Sequence, residues 1–177
     1  RVAAIQMVSS ARVADNLACA AALIAEAAAS GAELVVLPEY FCLMGLRDTD
    51  KLAIREPWGD GPIQQFLAAS AREHGVWLVG GTLPLSVDGP DSAASSERVF
   101  NASLVYAPDG LCVARYDKMH LFRFDNGRER FDEARVLQAG AHPAMFSLPS
   151  RDGHRWRIGL SVCYDLRFAE LYRHYAA

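Results

Sequence analysis

Residues 15–38 read DNLACAAALIAEAAASGAELVVLP, and this stretch decides the fold class. Leu17, Ala21, Ile24 and Ala28 recur at helical spacing, so the first half is an amphipathic helix with Asp15 as its expected N-cap and Gly31 as its stop. Leu34 to Pro38 is a short, continuous apolar run ended by proline. That is the pattern of a strand buried on both faces. Upstream, Val2 to Val8 reads as a first buried strand. The opening third is therefore β-α-β, the unit of a layered α/β fold.

The pattern continues outward. Ile63 to His74 is a second amphipathic helix, and VWLVGGTLPL (76–85) is the next apolar strand. Residues 86–96 are small and polar, an exposed connection. Val99 to Tyr106 and Leu111 to Arg115 flank Ala107-Pro108-Asp109-Gly110, a hairpin signal. Residues 116–140 fit no single period, and long irregular segments of compact domains often carry function. AMFSL (144–148), the turn 150–153 and RWRIGLSV (155–162) form a further strand pair, and a helix is expected from Leu166 onward.

The chain has 177 residues, 51 % of them apolar, and a net charge of −3. That length and composition suit one domain with its own core and argue against disorder. No basic excess offers a footprint for nucleic acid or an anionic membrane surface. The apolar runs stop short of the ~20 residues that span a bilayer, and no signal-peptide pattern opens the chain. Cys19, Cys42, Cys112 and Cys163 stand far apart without a CxxC, which points to free thiols in a reducing, cytoplasmic setting.

Three polar groups stand where strands end, the place where ligand sites of α/β sheets gather. Cys163 follows IGLSV. Its strand-to-helix exit suggests a thiolate favoured by a helix N-terminus, hence a nucleophile; the ordinary alternative is a structural cysteine. Glu39 follows LVVLP and is a candidate general base, or a plain capping carboxylate. Lys118 follows a strand and is a candidate for stabilising negative charge on a substrate oxygen, or a solvated loop lysine. His120 fits the base of a Cys–His pair or, better, a structural hydrogen-bonding group.

The local strings LPEYF (37–41), YDKMHLF (116–122) and GLSVCYDLRFAEL (159–171), in this order, resemble the nitrilase, or carbon–nitrogen hydrolase, superfamily. The likeness extends to VAAIQM, GPIQQFLA, GVWLVGGTLP and RVFNASLVYAPDG, nearly the whole chain. PEYFCLMG and CYDLRF look most like the branch of ω-amidases and deaminated-glutathione amidases. The resemblance implies a four-layer α-β-β-α sandwich, usually paired into dimers or larger homo-oligomers, with no metal and no organic cofactor. It implies Glu39 as general base, Lys118 and the Tyr164 backbone N–H as oxyanion partners, and Cys163 as nucleophile. Glu133 is implied as a second glutamate beside the lysine, and Arg167 as the binder of a distal substrate carboxylate. Arg167 paired with Asp165 or Glu170 is the alternative.

The implied activity is hydrolysis of a small carboxylate-bearing amide through a cysteine thioester, with release of ammonia. A nitrilase or N-carbamoyl hydrolase of the same superfamily is the nearest alternative. A metallohydrolase using Glu39, His120, Cys163 and Asp165 lacks any HxH or HExxH spacing. A non-catalytic binding subunit is the third. Two departures from the family stand out: Ala169 replaces a common proline, and family members continue past the cysteine helix. The expectation is a single domain over 1–177, cut at its C-terminus.

Overall fold

The computed structural model describes residues 1–87 and 97–177. The connection expected over 86–96 lies, from residue 88 on, outside the described residues. Three parallel strands open the main sheet: β1 (Val2–Ala4), β2 (Leu34–Val36) and β3 (Trp77–Val79), with Val35 paired to Ala3 on one side and Leu78 on the other. Between them run α1 (Val13–Ala29), the single-turn α2 (Asp50–Ala53) and α3 (Pro62–His74). Asp15 lies inside the first turn of α1 rather than capping it, because the helix starts two residues earlier with Arg12 as N-cap. Asp15 there pairs with Arg12 at 3.1 Å and still favours the positive end of the helix.

The strand expected over 76–85 is two strands. β3 ends at Val79 and β4 (Leu83–Ser86) begins after a kink at Gly80-Gly81-Thr82. Gly81 has φ of 54°, and a Cβ there would lie 2.1 Å from the carbonyl oxygen of Pro38. Only glycine lets the two backbones approach so closely. An apolar run hides this break because its cause is a contact with a distant segment.

β5 (Val99–Tyr106) is the organising strand. It pairs antiparallel with β3 and β4, antiparallel with β6 (Cys112–Asp117), and parallel with the short β9 (Leu137–Gln138). The segment between β6 and β9 is less irregular than its sequence suggests. It holds a hairpin of β7 (Arg123–Asp125) and β8 (Arg130–Asp132), then a 3-10 turn at Glu133–Arg135. β10 (Met145–Pro149) and β11 (Arg155–Gly159) form a separate antiparallel pair, followed by a 3-10 turn at Cys163–Arg167 and α4 (Ala169–Ala176).

Strand alternation divides the core. Val35, Leu78 and Leu104 point to one face and pack under α1 and α3 with Ile24, Leu67 and Ala71. Leu34, Val79 and Val105 point to the other and pack with Phe146, Leu148, Leu160 and Leu171, from the β10–β11 region and α4. The period of two in the strands thus puts helices on one side of the sheet, and a strand pair with its own helix on the other. This is a mixed sheet with helices, the expected α/β class. Each fully buried Leu or Ile of these faces contributes roughly 1.5–3 kcal/mol.

Candidate active site

Glu39 sits just past β2, in a loop fixed from below. Leu37 N donates to Val79 O at 2.9 Å, and Tyr40 N donates to Thr82 Oγ1 at 2.8 Å. The glycine kink therefore serves the site: it brings Thr82 against the loop that carries Glu39. The β5–β6 register pairs Ala102 with Asp117, which places Asn101 opposite Lys118. Opposed residues of an antiparallel pair share a face, and both side chains reach Glu39. Asn101 Nδ2 donates to Glu39 Oε1 at 2.7 Å and Lys118 Nζ to the same oxygen at 3.2 Å.

Lys118 is fully buried. Its backbone is held on both sides: its N–H donates to Asn101 O, and its carbonyl accepts from Gly140 N. Glu133 supplies the second carboxylate. Both its oxygens lie 3.0 Å from Lys118 Nζ, and Oε2 also accepts from Phe122 N at 2.7 Å. The β7–β8 hairpin and the 3-10 turn, where Asp132 Oδ1 accepts from Ala134 N and Glu133 N donates to Phe122 O, deliver it there. Burial alone would push the Lys118 ammonium down. Glu39 and Glu133 outweigh it, so the group is held above the ordinary lysine value.

Cys163 opens the 3-10 turn with a left-handed φ of 49°, rare for a residue with a side chain. The residue is exposed, yet its sulfur is partly desolvated. That desolvation and the Glu39 charge raise the thiol above its ordinary value, against the pull of Lys118; a hydrogen bond to Glu39 and the Glu133 charge raise it further. This corrects the expectation of a thiolate favoured by a helix N-terminus. Only a five-residue 3-10 turn follows, and two carboxylates face the sulfur. The thiol is held protonated beside a carboxylate able to take its proton.

Glu39, Lys118, Glu133 and Cys163 are thus brought to one point. Tyr164 packs edge-on against Phe122 and Phe168, with ring centroids 5.1 and 5.5 Å apart. Its N–H belongs to the first turn of the 3-10 helix, where amides have no intrahelical partner. Arg167 is exposed and, among the described residues, pairs with neither Asp165 nor Glu170. His120 is structural: its Nδ1 lies 2.6 Å from Asp165 Oδ1 and its ring stacks on Phe168. That contact also uses Asp165, so two members of the metal-ligand alternative are occupied with each other. Among the described residues no group of three or more His, Cys, Asp and Glu is placed to hold a metal ion.

The sequence reading missed Asn101, Thr82 and Tyr40. An asparagine inside the mostly apolar Val99–Tyr106 run, where Ser103 is the other polar residue, was the available signal. Asn101 Oδ1 and Tyr40 Oη are buried without a hydrogen-bond partner among the described residues. Tyr40 also has a left-handed φ of 55°, and burial with the charges of Glu39, Glu133, Asp48 and Cys163 pushes its phenol far up. It is therefore a neutral group beside the charged ones.

Comparison with known proteins gives one consistent picture. The carbon-nitrogen hydrolase family model matches residues 1–177. The chain is 36 % identical to omega-amidase NIT2 of Danio rerio over 178 residues, covering 99 % of this chain and 58 % of that protein. It is likewise 36 % identical to omega-amidase NIT2 of Homo sapiens, covering 99 % of this chain and 59 % of that protein. The chain therefore spans a little under 60 % of these relatives. Among solved structures, the C. elegans NitFhit protein superposes with a TM-score of 0.74 at 31 % identity, covering 96 % of this chain and 39 % of that one. Saccharomyces cerevisiae Nit3, of the nitrilase superfamily, superposes with a TM-score of 0.76 at 26 % identity, covering 97 % and 58 %.

Proposed function

The chain belongs to the carbon–nitrogen hydrolase family, and from that premise we propose that it hydrolyses a small carboxylate-bearing amide through a cysteine thioester. The observation that carries this reading is a buried ammonium, Lys118, bridging two carboxylates at 3.2 and 3.0 Å, one of which faces the Cys163 thiol.

Glu39 takes the thiol proton as Sγ attacks the amide carbon. Charge develops on the former carbonyl oxygen, where Lys118 Nζ and the Tyr164 N–H stabilise it. The C–N bond breaks, the nitrogen takes the proton from Glu39, and ammonia leaves. Water then gives a proton to Glu39 and attacks the thioester. The C–S bond breaks, the carboxylic acid departs, and the sulfur recovers its proton. The cycle consumes one water and requires no cofactor. Glu133 keeps Lys118 charged and in place.

Arg167 supports the substrate class. A guanidinium four residues from the nucleophile, without an ion-pair partner among the described residues, suits bidentate capture of a carboxylate at the far end of the acyl chain. The relatives named omega-amidase point to the same class.

The test is ammonia release from succinic acid monoamide. Cys163→Ala is expected to lower kcat by about 10⁴-fold or more, and Arg167→Met to raise KM for the monoamide but not for butanamide. Turnover unchanged in Cys163→Ala overturns the mechanism. An equal effect of Arg167→Met on both amides overturns the substrate class.

A further inference from the structure

Asp165 is fully buried, two residues from the nucleophile, and plays no part in the steps above. Four donors converge on its two oxygens. Oδ1 accepts from His120 N at 3.0 Å and from His120 Nδ1 at 2.6 Å. Oδ2 accepts from Tyr116 Oη at 2.6 Å and from Val162 N at 2.9 Å. The Tyr116 oxygen itself accepts from Met119 N at 3.4 Å, which directs its own proton to Asp165. The carboxylate partner likewise assigns the His120 proton to Nδ1. The His120 ring then stacks on Phe168, with centroids 3.6 Å apart and planes 11° apart.

These contacts join two segments and no others. Tyr116, Met119 and His120 flank Lys118; Val162, Asp165 and Phe168 flank Cys163. The Lys118 side is anchored in the main sheet by β6. The Cys163 side leaves the sheet pair at Gly159 and enters a turn whose first residue has a left-handed backbone. Such a conformation persists only where its surroundings over-determine it. We propose that Asp165 is a positioning residue that staples the nucleophile turn to the lysine strand, and so fixes the Cys163 sulfur against Glu39 and Lys118.

The chemistry of the four donors makes Asp165→Asn a sharp probe. An asparagine amide has one acceptor and one donor end. Tyr116 can rotate its hydroxyl and His120 can change tautomer, but the backbone N–H groups of Val162 and His120 cannot change. Whichever way the amide turns, one backbone N–H faces an NH₂. The clamp opens on one side without loss of volume. Tyr116→Phe removes a single donor and leaves both backbone contacts intact.

This inference rests on the amidase reading for its kinetic arm and on the thiol alone for its chemical arm. The experiment measures kcat and KM for succinic acid monoamide, and the second-order rate of iodoacetamide capture by Cys163, counted on the labelled peptide. Activity is expressed per alkylatable Cys163. Asp165→Asn is expected to lower kcat about 100-fold with KM within about twofold, the pattern of a reacting atom displaced by about an ångström. Its iodoacetamide rate should rise about tenfold at equal pH, because a sulfur displaced from Glu39 escapes the charge that holds its proton. Tyr116→Phe is expected to lower kcat about fivefold, again at constant KM.

Unchanged kcat per reactive thiol together with a lower Tm overturns the proposal, since Asp165 would then serve folding alone. Should Asp165→Asn not fold, Tyr116→Phe decides: wild-type kcat and wild-type iodoacetamide rate in that variant overturn the proposal. A native protein that hydrolyses no amide refutes the amidase reading. The iodoacetamide rates still decide the clamp.

Discussion

The two buried clusters that meet at the main sheet are built on opposite principles. Under α1 and α3 the contacts are apolar and numerous: Ile24, Leu67, Leu78 and Leu104 have no measurable exposure. Around Lys118 the contacts are polar and few, and Glu39, Asn101 Nδ2, Lys118 and Glu133 are joined at defined distances of 2.7 to 3.2 Å. Close packing degrades gradually when an atom is removed, because neighbours relax in part. A charged cluster does not. Removing one member leaves the others buried and unpaired. The comparison predicts that substitutions in the first region cost stability in proportion to volume, and substitutions in the second cost chemistry out of proportion to size.

The largest effect is expected from Lys118→Met, which keeps the stem and removes the charge. Glu39 and Glu133 would then face each other without a cation. Loss of oxyanion support and of the fixed base should lower kcat about 10³-fold. Stability should fall by about 3 kcal/mol, below the full cost of breaking a deeply buried pair, because the Glu39 side chain is 23 % exposed. Amide turnover and urea unfolding of the same preparation check both. A Lys118→Met protein with native turnover would erase the distinction between the two regions.

Leu67→Ala probes the other side. Leu67 is fully buried, and its Cδ1 lies where a Cβ on Gly80 would sit, 2.6 Å away. The substitution should cost about 2–4 kcal/mol in urea unfolding and leave kcat per folded molecule within about twofold. A large fall in kcat would mean that α3 packing positions Glu39 through the Gly80–Thr82 kink, and that the two regions are coupled.

These differences also explain what the sequence made legible. The β-α-β order of the opening was readable because each segment carries one period. The buried strand expected over Val2 to Val8, however, is only Val2–Ala4, an end strand of the sheet with Val2 65 % exposed, because burial depends on which neighbours cover a strand and not on its period alone. Glu39, Lys118 and Cys163 were picked out because each stands at a strand end in a distinctive local string, whereas Glu133 came only from the family resemblance. The break at Gly80-Gly81 was not readable, since its cause is the Pro38 carbonyl, remote in the chain. Asn101 was not, because its role comes from the register between β5 and β6. The direction of the Cys163 shift was misjudged for the same reason. A local helix-terminus argument points to a thiolate, whereas the Glu39 carboxylate, far off in sequence, sets the opposite sign.

The smallest predicted effect separates two raised thiols. Cys163 is raised by partial desolvation together with the Glu39 charge. Cys42 belongs to the apolar cluster, is 1 % exposed, and burial pushes its thiol up to about 12. In the unfolded chain a cysteine titrates at about 8.5. Between these values the unfolded state has lost the proton and the native state has kept it. The unfolded state binds fewer protons, so stability from this group is complete at neutral pH and falls as pH rises, by about 1.4 kcal/mol per unit at full slope. Cys42→Ala removes that slope and costs about 1 kcal/mol of packing at pH 7. Its deficit in urea unfolding relative to the native protein should therefore shrink between pH 7 and pH 10, while kcat stays within about twofold. Parallel stability curves for the two proteins would show that Cys42 ionises as readily in the core as in the unfolded chain, and would remove the contrast between a thiol raised by packing and one raised beside its base.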